Sequence, residues 1–116
     1  MAISEAFSGA SNIGATEWSM TSNATGVRTE YADGVYQAWV ELTDMVAGDI
    51  LRIRLYETVF VQSPNVQQLV EEWVLCGAQA AGAWASDSFI LMHGWDFTLT
   101  AVAGTITIHW SIRKVA

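Results

Sequence analysis

The stretch Asp33-Gly34-Val35-Tyr36-Gln37-Ala38-Trp39-Val40-Glu41-Leu42-Thr43 alternates strictly between apolar and polar positions. Successive strand residues point to opposite faces, so Tyr36, Ala38, Val40 and Leu42 share one face. Gln37, Trp39 and Glu41 share the other. Asp33-Gly34 before the run and Ala47-Gly48-Asp49 after it are turn signals. Val35–Thr43 therefore reads as a half-buried strand, and its period of two sets the fold class.

The same period continues on both sides. In Ile50–Gln62, Leu51, Ile53 and Leu55 face inward, and Arg52, Arg54 and Tyr56 face outward. Ser63-Pro64-Asn65 is a turn signal, so Gln67–Cys76 returns as the second arm of a hairpin. A helical spacing through Leu69, Val70 and Trp73 competes there; the valines, Trp73 and Cys76-Gly77 favour a strand. Gly77–Ser86, rich in Ala and Gly around Trp84, reads as a loop. Ser88–Trp95 and Phe97–Ala101 read as short strands. Ala103-Gly104-Thr105 is expected to close a hairpin onto Thr105–Val115. In that last strand Ile106, Ile108, Trp110 and Ile112 point inward, with Thr107, His109, Ser111 and Arg113 outward. Ile13–Ser22 and Val27–Tyr31 supply the first strands. Met1–Asn12 is small and polar with no period, so residues 1–12 are expected to form a flexible N-terminal arm. The chain is thus expected to be all-β. Residues 13–116 form a single domain, an antiparallel β-sandwich or jelly roll of about eight strands.

Composition narrows the function. The chain has 116 residues, 52% hydrophobic and only 15% charged. One core is all that this length supports, and an apolar surface is expected to contact something. Five Lys plus Arg against twelve Asp plus Glu give a net charge of −7. No basic stripe can form, so no nucleic-acid partner is expected. The same deficit argues against anionic lipid, and no apolar run is long enough to span a membrane. The single Cys76 excludes an internal disulfide. The first residues show no secretory signal, which points to synthesis in a cytoplasm.

No motif for chemistry stands out. His93 and His109 lack metal-ligand spacing, so neither a metal nor a cofactor is expected. There is no nucleophile elbow, phosphate loop or dinucleotide fingerprint, and Cys76 reads as a buried structural thiol. If the hairpin turns at Ser63–Asn65, Glu57 lies near Glu71, an arrangement that suits a water-facing tip, an acid/base dyad or a calcium clamp. Tyr56 then lies opposite Glu72, and Arg54, diagonal to Glu72, forms a cross-strand ion pair with it. The chain is expected not to be an enzyme.

Six tryptophans are the strongest compositional signal. Trp110 and Trp73 fit the core face. Trp39 faces away from the apolar set of its own strand, and Trp84 sits among small residues in a loop. Outward aromatics anchor protein partners or stack on sugars. A sugar platform needs polar hydrogen-bonding groups around its ring. The alanines and glycine beside Trp84 favour protein contact. Phe7, Trp39, Arg52, Arg54 and Trp84 are the candidate interface residues.

Asp33–Leu42, Ala47–Glu57, Ile90-Leu91-Met92-His93-Gly94-Trp95-Asp96-Phe97-Thr98-Leu99 and Trp110–Val115 together resemble small virion structural proteins of tailed bacteriophages. The resemblance runs from about Thr29 to the C-terminus and is one of pattern. It implies a β-sandwich that acts as a head decoration (cement) protein, or as a tail or neck component. It also implies the major capsid protein and copies of itself as partners, a trimer by analogy, and a place on the capsid surface of the virion. It carries no catalytic residues over. A carbohydrate-binding β-sandwich module is the rival from another class.

Overall fold

The alternation in Val35–Thr43 is the burial pattern of β4 (Gly34–Glu41): Tyr36, Ala38 and Val40 are buried, as is Leu42 just beyond it. The computed structural model describes residues 2–60 and 66–115. Around β4 lie β1 (Ile3–Ile13), β2 (Trp18–Ser19), β3 (Ala24–Thr25), β5 (Ile50–Glu57) and β6 (Gln68–Cys76). After them come β7 (Ala83–Ala85), β8 (Phe89–Leu91), β9 (Trp95–Ala103) and β10 (Ile106–Val115). The chain is all-β, with no helix among the described residues.

Two five-stranded antiparallel sheets result. The first runs β1-β10-β4-β7, with β8 pairing the other end of β4; the second runs β3-β2-β9-β5-β6. Their inner faces share one core. Leu51, Ile53 and Leu55 of β5 meet Phe97, Leu99 and Ala101 of β9, and Ile106, Ile108, Trp110 and Ile112 come from β10. Each fully buried aliphatic side chain contributes roughly 1.5–3 kcal/mol by leaving water. Strand β7 and strand β8 act as one edge broken at Ser86. The Ser86 hydroxyl accepts from the Ala38 N–H (3.0 Å), and the Ser86 N–H donates to the Ala38 carbonyl (2.9 Å). The side chain thus stands in for a backbone partner across the break.

The hairpin of β5 and β6 is formed, but its register sets Arg54, not Tyr56, opposite Glu72, and Cys76 at its end is exposed, not buried. Its turn, Ser63–Asn65, lies outside the described residues. Four other expectations need correction. Residues 1–12 are not an arm apart from the sheets, because β1 pairs with β10 from Ile3–Val115 to Ile13–Ile106. Its inward row is Phe7, Gly9, Ser11 and Ile13. The period was hidden because Gly9 is empty by necessity: a Cβ there would lie 2.7 Å from the Trp110 ring.

Ala103-Gly104-Thr105 does not close a hairpin. It carries the chain from β9 in the second sheet to β10 in the first. Gly104 has φ +82°, and a Cβ on it would collide with the Asp49 carboxylate. The loop read over Gly77–Ser86 contains β7. Val27–Tyr31 forms no strand, only a bridge from Glu30 to Trp95.

Strand β9 is a single strand through Asp96, buried on both faces from Trp95 to Ala101. Its outer face lies under the segment after β2. Asp96 accepts from the Thr21 hydroxyl (2.9 Å) and the Arg28 N–H (2.8 Å). Burial pushes its pKa up to about 6, and the hydrogen bonds from Arg28, Ser19 and Thr21 offset part of that rise.

The connections segregate to two ends. Residues 14–17, 42–49, 77–82 and 104–105 lie at one. Residues 28–33, 58–60, 66–67 and 92–94 belong to the other, beside the start of β1 and the end of β10.

Candidate functional site: the outer face of the first sheet

Pairing of β4 with β10 sets Ser111 opposite Trp39 and Arg113 opposite Gln37. Pairing with β7 sets Ala85 opposite Trp39 and Ala83 opposite Glu41. Paired residues share a face. One surface therefore carries an indole ring, a guanidinium, a carboxylate, an imidazole and a hydroxyl, with alanines beside them. Between them is an open depression of ≈ 290 Å³, lined by Trp39, Glu41, Ala83, His109, Ser111 and Arg113 and by parts of Val40 and Trp110.

Trp39 is half-buried and points outward, as its strand position requires. Its Nε1–H donates to Gln37 Oε1 (2.9 Å), and Gln37 Nε2 donates to the Ser86 carbonyl (2.6 Å). The Arg113 guanidinium lies over the ring, 4.3 Å from its centroid. Such a pair contributes about 0.5–1 kcal/mol at an exposed site. The Ser111 hydroxyl donates to Glu5 (2.5 Å) and the Thr43 hydroxyl to Glu41 (2.8 Å). The bonds from Ser111 and Ser8, with the charge of Arg113, hold the Glu5 carboxyl below its usual range.

The other candidate residues are placed elsewhere. Phe7 packs edge-on against Trp95, with centroids 5.9 Å apart. Trp84 does not face outward. It pairs with the core residue Val40, so it turns in against Trp73, 5.0 Å away, and joins the partly buried rim of the core. Arg52 and Arg54 lie on the outer face of the second sheet, where both are engaged by Glu72 at 3.8 and 2.6 Å. Arg54 also donates to the Tyr56 hydroxyl (3.2 Å), which donates to Glu17 (2.8 Å).

Glu57 and Glu71 are not paired. A bulge after Leu55 sets Glu71 opposite Leu55 and Gln68 opposite Glu57. The Glu57 carboxylate instead accepts from the backbone N–H groups of Met92 (2.6 Å) and His93 (3.3 Å). It ties the β5 end to the turn before β9. Among the described residues no group of three or more His, Cys, Asp and Glu is placed to hold a metal.

Sequence reasoning missed a second surface. At the end formed by residues 28–33, 58–60, 66–67 and 92–94, large apolar side chains stand in water: Val59 (70% exposed), Tyr31 (61%) and Phe60 (58%), while Ile90 (78%) stands on the outer face of the first sheet opposite Val35. Met92 and Val66 are also exposed. The Thr58 N–H donates to the Gly94 carbonyl (2.9 Å), and Gln67 donates to the Arg28 carbonyl (3.1 Å), which draws these loops together. A second hollow of ≈ 250 Å³ is lined by Thr58, Val59, Phe60, Val66 and Gln68. The available signal was the run of apolar residues in Thr58–Gln62, where a hairpin tip is ordinarily polar.

In comparisons with known proteins, no family model, curated protein or solved structure matches this chain.

Proposed function

We propose that the chain is a virion structural protein, a capsid decoration protein that docks by its apolar loop end onto the outside of a phage head. The observation that carries this reading is the exposure of Tyr31, Val59, Phe60 and Met92 on loops that hydrogen bonds draw together at one end. Large apolar side chains held together in water at one end of a monomer suit an interaction surface. The core of an interface is where aromatic and aliphatic anchors are buried and charge is depleted.

The fold supports the same reading as a jelly roll. With the short β3 set aside as the edge partner of β2, and β7 and β8 counted as one strand along β4, eight strands remain. The pairs in chain order are first with eighth, second with seventh, third with sixth and fourth with fifth. That nesting is one long antiparallel hairpin rolled up on itself, an arrangement recurrent in capsid and lectin domains. The proposed partners are the major capsid protein and further copies of this chain, and the place is the virion surface. The action requires no catalytic step. A protein that binds the assembled lattice and not its free subunits stabilises the lattice by mass action.

Co-sedimentation tests the reading. The purified chain is mixed with assembled heads, with free capsid subunits and with tails. Saturable binding to heads alone is expected, with at least tenfold weaker binding for Phe60→Ala and Tyr31→Ala. Binding to tails and not heads would move the protein to the tail or neck. Binding to neither would overturn the virion reading.

A further inference from the structure

We propose that the depression beside Trp39 is a carbohydrate subsite, taking one pyranose unit of a glycan. A pyranose offers an apolar C–H face and a rim of hydroxyls that both donate and accept. It binds where an aromatic surface adjoins a mixed set of donors and acceptors in a shallow hollow. Strand β4 supplies the ring and the Glu41 carboxylate, and β10 brings His109, Ser111 and Arg113 beside them.

Three features separate this hollow from ordinary sheet surface. The ring is fixed in advance, because its Nε1–H is held by Gln37, which is itself held by the Ser86 carbonyl. Fixing a contact group beforehand lowers the entropy cost of binding. The hydrogen-bonding groups keep spare capacity. Among the described residues Arg113 enters no ion pair, unlike Arg28, Arg52 and Arg54; it covers the indole, and a sugar that stacks there displaces it and leaves its N–H groups to donate to the hydroxyls. Glu41 uses one oxygen for Thr43. Finally, the volume of ≈ 290 Å³ fits a single ring, at the low end of the roughly 300–1,000 Å³ of ligand pockets. Large exposed apolar side chains gather at the loop end, and the rim here is polar, which suits a sugar better than a protein. The inference is independent of the docking surface.

The test is a two-part titration of the full chain. Proton–nitrogen correlation spectra are recorded with glucose, galactose, mannose, N-acetylglucosamine and N-acetylneuraminic acid, one at a time. The indole N–H of Trp39 is assigned by its loss in Trp39→Phe. A glycan array is then probed with the parent chain and with Trp39→Ala, His109→Ala and Arg113→Gln. At least one sugar is expected to move the Trp39 indole and the His109 and Ser111 amides. Array binding to glycans ending in that sugar should fall at least tenfold in the variants, with an unchanged melting temperature in His109→Ala and a fall of only a few degrees in the two that lose the Trp39–Arg113 contact. His109→Ala and Arg113→Gln carry the test if Trp39→Ala fails to fold. The proposal is overturned if no sugar moves the Trp39 indole, if array binding survives in all the variants, or if only capsid protein perturbs this face.

Discussion

Trp39 and Trp110 show how one residue type splits by strand parity. Trp39 lies outside the first sheet, and Trp110 is buried beneath it with its Nε1–H on the Met20 carbonyl (2.9 Å). Trp39→Ala should cost about 1 kcal/mol of folding stability, the contact with Arg113 and the bond to Gln37. Trp110→Ala should cost about 3–5 kcal/mol through cavity formation and a stranded carbonyl. Urea titration of both variants checks the ranking. Asp96 makes a second residue-scale prediction. Its folded pKa of about 6 stands above the ordinary 3.8, so the folded state holds a proton that the unfolded state releases. Its contribution is fully present below about pH 4 and is lost as pH rises through about 6, by at most about 3 kcal/mol. Asp96→Asn should flatten that part of the stability profile at the cost of one hydrogen bond. Denaturant midpoints from pH 4 to 7 measure it; an unchanged slope would contradict the burial of a titrating carboxyl at this position.

At the scale of elements, legibility followed the size of the inward side chains. Strands β4, β5 and β10 were plain because large residues recur at every second position, as in Ile106, Ile108, Trp110 and Ile112. Strand β1 was invisible because its inward row is Phe7, Gly9, Ser11 and Ile13, cut small to admit the Trp110 ring from the neighbouring strand. Strand β7 was hidden in a small-residue stretch, where its three residues pair with β4 through the backbone. The pairing partner across Gly104 is a matter of topology, and local turn chemistry does not encode which sheet the chain enters next. The Trp39 face was half legible. Parity gave the outward ring, but Ser111 and Arg113 reach it only through the β4–β10 register. Deletion of residues 1–12 is expected to remove the β1–β10 pairing and bare Trp110 and Trp95. The truncated chain should unfold at a markedly lower temperature, or not fold, by circular dichroism. A truncation that melts like the parent would make this strand dispensable to the fold.

For the molecule as a whole, the two ends differ in chemistry more than the two faces do. The end at residues 42–49 and 104–105 is tied by Asp49, which accepts from the Val46 N–H (3.0 Å) and whose carbonyl accepts from the Gly77 N–H (2.7 Å). A Cβ at residue 104 breaks into this cluster, so Gly104→Ala should destabilise the fold by more than the roughly 1 kcal/mol of an ordinary left-handed position. The opposite end carries the exposed Tyr31, Val59, Phe60 and Met92, and the docking account rests on it. Hydrogen–deuterium exchange of the chain, free and bound to assembled heads, tests that account most directly. The account predicts new protection concentrated in residues 28–33, 58–60 and 92–94, with the outer faces of both sheets unchanged. Protection that falls on the sheet faces or on residues 42–49, and leaves those loops exchanging as in the free chain, would contradict it.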